Sequence, residues 1–115
     1  MSPTAAKKAV MREVSSWSGV RVGGHSIGGI EFRVGRRELG HLHKTMADLP
    51  FPRRVRDELV ATGRARPHHV APDSGWVTLP MTTVSEVAVV VKLFRLNYER
   101  ATSRRPAGRR RASSR

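Results

Sequence analysis

The sequence predicts an α+β fold, in which one antiparallel sheet carries two longer helices on one face and a short crossing helix. Apolar residues recur at helical spacing near both ends of the chain, and glycine-punctuated segments between them alternate apolar and polar residues. A chain of 115 residues is long enough for one hydrophobic core. We therefore expect residues 1–100 to form a single compact domain, with the first and last helices on the same side of the sheet.

The first helix is predicted over residues 4–16. Thr4 can cap it, and glycine at position 19 stops it. Its apolar stripe, which we expect to face the core, consists of Ala6, Val10, Met11, Val14 and Trp17.

Three strands of a meander follow, over residues 20–23, 29–34 and 37–43, separated by glycine-containing turns. Ile30, Phe32 and Val34 alternate with charged residues, as a half-buried strand requires. The prolines at 50 and 52 break this pattern, and a short helix is predicted over residues 52–62.

A hairpin is predicted next, with strands over residues 66–71 and 76–79. Pro72 presets the backbone of the connecting turn, and the three residues after it are turn formers. With a four-residue loop, His69 lies opposite Thr78 and Ala71 opposite Trp76.

The last helix opens at Thr83 and Glu86, which have the spacing of a capping box, and runs to about residue 100. Its core face is predicted to hold Val87, Val91, Phe94 and Tyr98. A second stripe lies away from that face and is either covered by a neighbouring element or forms a homodimer contact; it consists of Val89, Leu93 and Leu96.

The formal net charge of +13 suggests an anionic partner, but much of it lies in one terminal segment. Residues 101–115 hold six arginines, no acid and no apolar anchor, so we expect a disordered tail. Such a tail is either a solvated end or a non-specific contact to nucleic-acid phosphates. The candidate contact residues are Arg104, Arg105, Arg109, Arg110 and Arg111.

Several classes of protein are excluded or disfavoured by composition. The chain has no cysteine, so a disulfide framework, a thiolate metal site and a thiol nucleophile are excluded. No secretory signal, membrane-spanning run or phosphate-binding loop is recognisable, which favours a cytoplasmic protein. No cofactor is specified by any motif.

Four of the five histidines form two pairs, at 41 and 43 and at 68 and 69. Parity along the strand places the first pair on the face of Leu39, which is predicted to be the core face. We expect the two pairs to line one pocket that binds an unknown small molecule. The candidate catalytic residues are His41, His43, His68, His69, Asp73, Ser74 and Glu38, and Trp76 is a candidate ligand contact.

These residue types leave three roles open. An imidazole titrates near neutral pH and can serve as a general base, with Asp73 orienting it or Ser74 as the hydroxyl it activates. The same imidazoles could bind a metal through nitrogen, with an oxygen ligand completing the site. A purely structural role is the third, because Asp73 and Ser74 are also common turn formers.

Five segments together resemble the luciferase-like domain family, small bacterial and fungal proteins whose function is largely unestablished. They are residues 38–43, 47–52, 55–60, 68–76 and 95–100. The resemblance implies that the histidine segments and the Pro-Asp-Ser-Gly-Trp turn belong to one domain. It does not imply light emission, which no feature of this chain supports. A small ligand-binding or enzymatic domain is the leading hypothesis; a nucleic-acid-binding accessory protein and a dimerising adaptor are the alternatives.

Overall fold

The computed structural model describes residues 1–24 and 28–103. Within those ranges the chain forms three helices and six strands. In chain order they are α1 (Pro3–Ser15), β1 (Val20–Gly24), β2 (Ile30–Val34), β3 (Arg37–Leu42), β4 (Met46–Pro50), α2 (Arg53–Ala61), β5 (Arg66–Pro67), β6 (Trp76–Pro80) and α3 (Val84–Thr102).

The strands form one antiparallel sheet in the order β1-β2-β3-β4-β6-β5. One face of this sheet, the helix face, packs against α1 and α3, and the opposite face is the open face. The α+β prediction is therefore confirmed. Among the described residues, no helix combines the length and the apolar character that crossing a bilayer requires.

The helix face holds the core. The Phe32 and Phe94 rings meet edge to face with their centroids 5.3 Å apart, which joins β2 to α3. The apolar stripe predicted for α1 is confirmed, with Ala6, Val10 and Val14 fully buried. Other large buried side chains come from the strands, from the residue after β6 and from α3, among them Leu39, Leu42, Leu49, Val77, Leu79, Met81 and Val90.

The helix ends follow capping chemistry, with one correction. The N-cap of α1 is Ser2, whose hydroxyl accepts from the amide of Ala5 at 3.1 Å, and not Thr4; Pro3, which needs no amide partner, takes the first helical position. The predicted capping box of α3 is confirmed, because the Thr83 hydroxyl and the Glu86 carboxylate each accept from the other residue's amide.

The second stripe predicted on α3 is not one exposed surface. Leu93 is buried in the core, whereas the exposed fractions of Val89 and Leu96 are 40% and 37%. The prediction failed because the buried face of α3 is rotated from the predicted one: it consists of Val90, Leu93, Phe94 and Asn97. Of the predicted core face, Phe94 is fully buried, whereas Val87, Val91 and Tyr98 are only partly buried. Asn97 also lies on the buried face of α3, where its side-chain amide donates hydrogen bonds to the carbonyl oxygens of Leu39 and Pro50.

A β-bulge in β3 reverses the predicted direction of the first histidine pair. Phe32 pairs with Gly40 and Arg33 with Glu38, so Leu39 is an extra residue in the ladder. Both leucines of β3, at 39 and 42, therefore point into the core. The histidines lie on the open face, and the parity argument that placed them beside Leu39 was wrong.

Gly40 makes this bulge possible. Its φ of 154° is one that other residues rarely adopt, and a Cβ there would lie 2.8 Å from the carbonyl oxygen of Asp48 and 2.9 Å from Phe94. The glycine thus lets β3 approach β4 and α3 closely.

The predicted hairpin is also corrected. Only Arg66 and Pro67 pair with β6, opposite Thr78 and Val77, so His69 and Ala71 are not in the ladder. Proline has no amide hydrogen to extend the pairing. Residues 68–75 instead turn back toward the open face, where α2 supports them through a hydrogen bond from Arg56 to the carbonyl oxygen of Pro72.

Candidate functional site

A pocket of about 320 Å³ lies on the open face, between the sheet and residues 68–75. Strands β3, β4 and β6 form its floor. Its lining consists of His41, His43, Asp48, His68, His69, Val70, Ala71, Ser74 and Trp76.

Asp48 is the centre of this site. Its neighbours Ala47 and Leu49 point into the core, so strand alternation turns the Asp48 carboxylate to the open face, where it is fully buried. The Thr78 hydroxyl donates to its Oδ1 at 2.7 Å. Its Oδ2 faces four imidazole Nε2 atoms, those of His43 at 3.0 Å, His69 at 3.1 Å, His41 at 3.3 Å and His68 at 3.6 Å.

The electrostatics of the pocket follow from burial and these contacts. Burial raises the pKa of Asp48, but hydrogen bonds from His41, Thr78 and His69 outweigh it and hold that pKa well below its usual range. Burial also lowers the pKa of His41, yet hydrogen bonds to Asp48 and Glu38 raise it to about 9. The metal-free site therefore contains a carboxylate paired with an imidazolium at neutral pH.

Glu38 fixes the orientation of His41. The Nδ1 of His41 lies 2.8 Å from Oε2 of Glu38, and its Nε2 points to Asp48. The bulge makes this contact possible, because it brings residues 38 and 41 to the same face of the sheet.

His68 differs from the other three histidines. Its Nδ1 accepts hydrogen bonds from the amides of Val70 at 3.1 Å and Ala71 at 3.0 Å. An imidazole nitrogen that accepts carries no hydrogen, so the hydrogen of the neutral ring lies on Nε2. Burial, the largest cause, lowers the pKa of His68, which favours this neutral form.

The remaining candidate residues are Trp76, Ser74 and Asp73, which lie in the pocket lining or in the turn before β6. The indole of Trp76 lies over the histidines, with its centroid 5.1 Å from that of His41. Ser74 lines the pocket, but its hydroxyl donates to the Ala71 carbonyl oxygen and accepts from the Trp76 amide, which are turn contacts. Asp73 is exposed and is not part of the lining.

The two histidine pairs, which are far apart in the sequence, thus meet at one carboxylate. That carboxylate was missed because Pro50 and Pro52 obscured β4. The signal was present in residues 46–50, where an acid stands between two apolar residues of a short alternating run. The catalytic roles of the candidate residues stay predictions, and the tail arginines from 104 onward lie outside the described residues.

Among residues 1–24 and 28–103, two groups of side chains could hold a metal ion, His41 with His43 and Asp48, and Asp48 with His68 and His69. Within each group the ligand atoms lie within 4.8 Å of one another.

Comparison with known protein families matches the central part of the chain. A family model described as a luciferase domain matches residues 36–97, which include β3, β4, the pocket and most of α3. No curated protein and no solved structure matches the chain.

Proposed function

This chain belongs to the luciferase-domain family, and we propose that it is a small ligand-binding or enzymatic domain that acts through the pocket on its open face. The observation that carries the proposal is the convergence of four imidazoles on the buried carboxylate of Asp48. Burying a carboxylate costs several kcal/mol, by order of magnitude, unless it is well paired. One carboxylate oxygen offers about two lone pairs, so four imidazoles around Oδ2 are more than its hydrogen bonding requires.

The shape and chemistry of the pocket indicate the class of ligand. About 320 Å³ is at the small end of ligand sites, which suits a single ring with a short substituent. The walls contributed by Val70, Ala71 and Trp76 are largely apolar. The polar groups are concentrated on the floor, so the ligand presents one polar group to the imidazoles and its apolar part to the indole.

Two of the histidines are best placed to touch such a ligand. The side chains of His43 and His69 are 21% and 36% exposed, whereas that of His41 is 9% exposed and lies behind them. Imidazoles exchange protons near neutral pH and both donate and accept hydrogen bonds. Side chains of this type can therefore serve in acid–base chemistry as well as in binding.

A fragment screen by NMR tests this proposal. The full chain is treated with EDTA and mixed with a panel of single-ring aromatic compounds, each carrying one polar group. We expect at least one compound to shift the indole resonance of Trp76 together with the imidazole resonances of His43 and His69. Trp76→Ala should abolish the effect, whereas Trp17→Ala, which alters the tryptophan that packs on Tyr98, should leave it unchanged.

The proposal is wrong if no compound in the panel shifts these resonances. It is also wrong if Trp17→Ala removes the response as completely as Trp76→Ala does, because the shifts would then reflect a general loss of structure.

A further inference from the structure

We propose that His41, His43 and Asp48 bind one divalent transition-metal ion through Nε2, Nε2 and Oδ2. No sequence motif assigns this site, and it rests on the proposed function because the ion would form the floor of the same pocket. The ligand set is two imidazole nitrogens and one carboxylate oxygen, which suits zinc, iron, cobalt or nickel better than magnesium or calcium.

The distances suit a metal. Two ligand atoms of a tetrahedral ion with bonds of about 2.0–2.1 Å lie about 3.4 Å apart. In the structure Oδ2 of Asp48 lies 3.0 Å from Nε2 of His43 and 3.3 Å from Nε2 of His41. Both distances are within a few tenths of an ångström of that value, and the ligand atoms of His41 and His43 lie within 4.8 Å of each other.

The ligands are carried by rigid elements. His41 and Asp48 are direct partners in the β3–β4 ladder, and His43 follows β3 with its amide bonded to the carbonyl oxygen of Met46. Gly40 permits the close approach of the two strands. A site built on paired strands holds its ligand atoms more exactly than one built on a loop.

Neighbouring side chains orient two of the ligand atoms, His41 Nε2 and Asp48 Oδ2. Glu38 accepts the hydrogen of His41 Nδ1, as is usual for histidines that bind metals, and this directs Nε2 at the site. A metal ion there would displace the Nε2 proton that otherwise bonds Asp48. The Thr78 hydroxyl occupies Oδ1 of Asp48, so Oδ2 is the oxygen that binds.

The second possible group, Asp48 with His68 and His69, is excluded by the tautomer of His68. Because Nδ1 of His68 accepts two backbone hydrogen bonds, its Nε2 carries a hydrogen and cannot bind a metal. His69 belongs to residues 68–75 and stands 3.1 Å from Oδ2 on the pocket side. We do not count it among the ligands, and we leave the fourth position, beside it, to water or to a bound ligand.

Zinc binding tests the proposal. The full chain is stripped with EDTA, freed of chelator and titrated with zinc chloride alone by calorimetry. We expect one equivalent to bind with a Kd below about 1 µM, and a large excess of magnesium should not compete. His41→Gln should weaken binding by more than about 100-fold, and Glu38→Gln, which alters only the supporting group, by about 10- to 100-fold.

His68→Gln is the matched control, since it removes an imidazole whose Nε2 lies 3.6 Å from Oδ2 of Asp48, against 3.3 Å for His41, and which the proposal excludes as a ligand. It should leave zinc affinity unchanged. Absence of saturable binding to the wild-type chain would overturn the proposal, as would an equal loss of affinity in His68→Gln and His41→Gln.

A second measurement needs no variant and so does not depend on the variants folding. Cobalt added to the stripped wild-type chain should give visible absorption bands of a four- or five-coordinate ion with nitrogen and oxygen ligands. A spectrum equal to that of the hydrated ion would overturn the proposal.

If zinc and cobalt fail to bind while the fragments still shift the pocket resonances, the metal site is wrong and the proposed function stands. If the metals bind but no fragment shifts those resonances, the metal site stands and the proposed function is wrong.

Discussion

Both faces of the sheet contain buried side chains, but for different reasons. On the helix face, apolar side chains from α1, α3 and the strands fill the interior, and Asn97 is the polar residue buried among them. On the open face, the fully buried Asp48 is held by histidines and Thr78. Apolar burial stabilises in proportion to area, whereas a buried carboxylate stabilises little and is costly to leave unpaired. The helix face therefore supplies most of the stability, and the open face holds a buried charged cluster that adds little to it.

The largest effect should come from the helix face. Phe94→Ala removes a fully buried ring that contacts Phe32, and it should lower the free energy of unfolding by about 3–5 kcal/mol in denaturant titration. Val84→Ala is the matched control on the same helix, because Val84 is 70% exposed, and it should change stability by less than about 0.5 kcal/mol. Similar effects of the two substitutions would refute the assignment of the core.

The next largest effect should come from Gly40, which lies between the Asp48 backbone and Phe94. Gly40→Ala should lower the free energy of unfolding by about 3 kcal/mol, because the methyl group meets the Asp48 carbonyl and the backbone is strained. It should also perturb the imidazole resonances, since β3 and β4 must separate. Gly23→Ala, at a glycine with open space around it, is the control and should do neither.

On the open face, Thr78→Val should lower the free energy of unfolding by about 1–3 kcal/mol, because it leaves a buried carboxylate oxygen without its donor. The Thr78 hydroxyl also lowers the pKa of Asp48, so that pKa should rise in the variant. Thr45→Val, at an exposed threonine, should change neither quantity. A stable variant with an unaltered Asp48 would contradict the role assigned to Thr78.

The pH dependence of the free energy of unfolding should also distinguish the open face from the helix face. The pKa of His41 is raised in the folded metal-free protein from 6.5 to about 9, so its contribution is complete below pH 6.5 and is lost as the pH rises through about 9. His41→Gln should flatten the stability profile over this alkaline interval, and Phe94→Ala should leave its shape unchanged. Urea titrations from pH 6 to pH 10 measure the difference.

The smallest effect should be at the start of α3. Thr83→Ala removes the capping hydroxyl and should lower the free energy of unfolding by about 1 kcal/mol without changing the pocket resonances. Thr83→Ser keeps the hydroxyl and should retain most of the stability. A response of the imidazoles to Thr83→Ala would show that the two faces are coupled more strongly than the contacts indicate.

The contrast between the two faces also explains which features could be predicted from the sequence. The stripe of α1, the capping box at Thr83 and the fold class depend on local spacing, and each was predictable. The direction of His41 was not, because the one-residue bulge at Leu39 depends on how β3 pairs with β2. Asp48 was missed for a related reason: its importance depends on partners up to 30 residues away, and two prolines nearby suggested a chain break.

The most direct test is the NMR spectrum of the imidazole nitrogens in the EDTA-treated full chain, recorded before and after Asp48→Asn. If both histidine pairs converge on this carboxylate, the ring nitrogens of His41, His43, His68 and His69 will all shift together. A spectrum in which only one pair responds, or neither does, would contradict a shared centre on the open face.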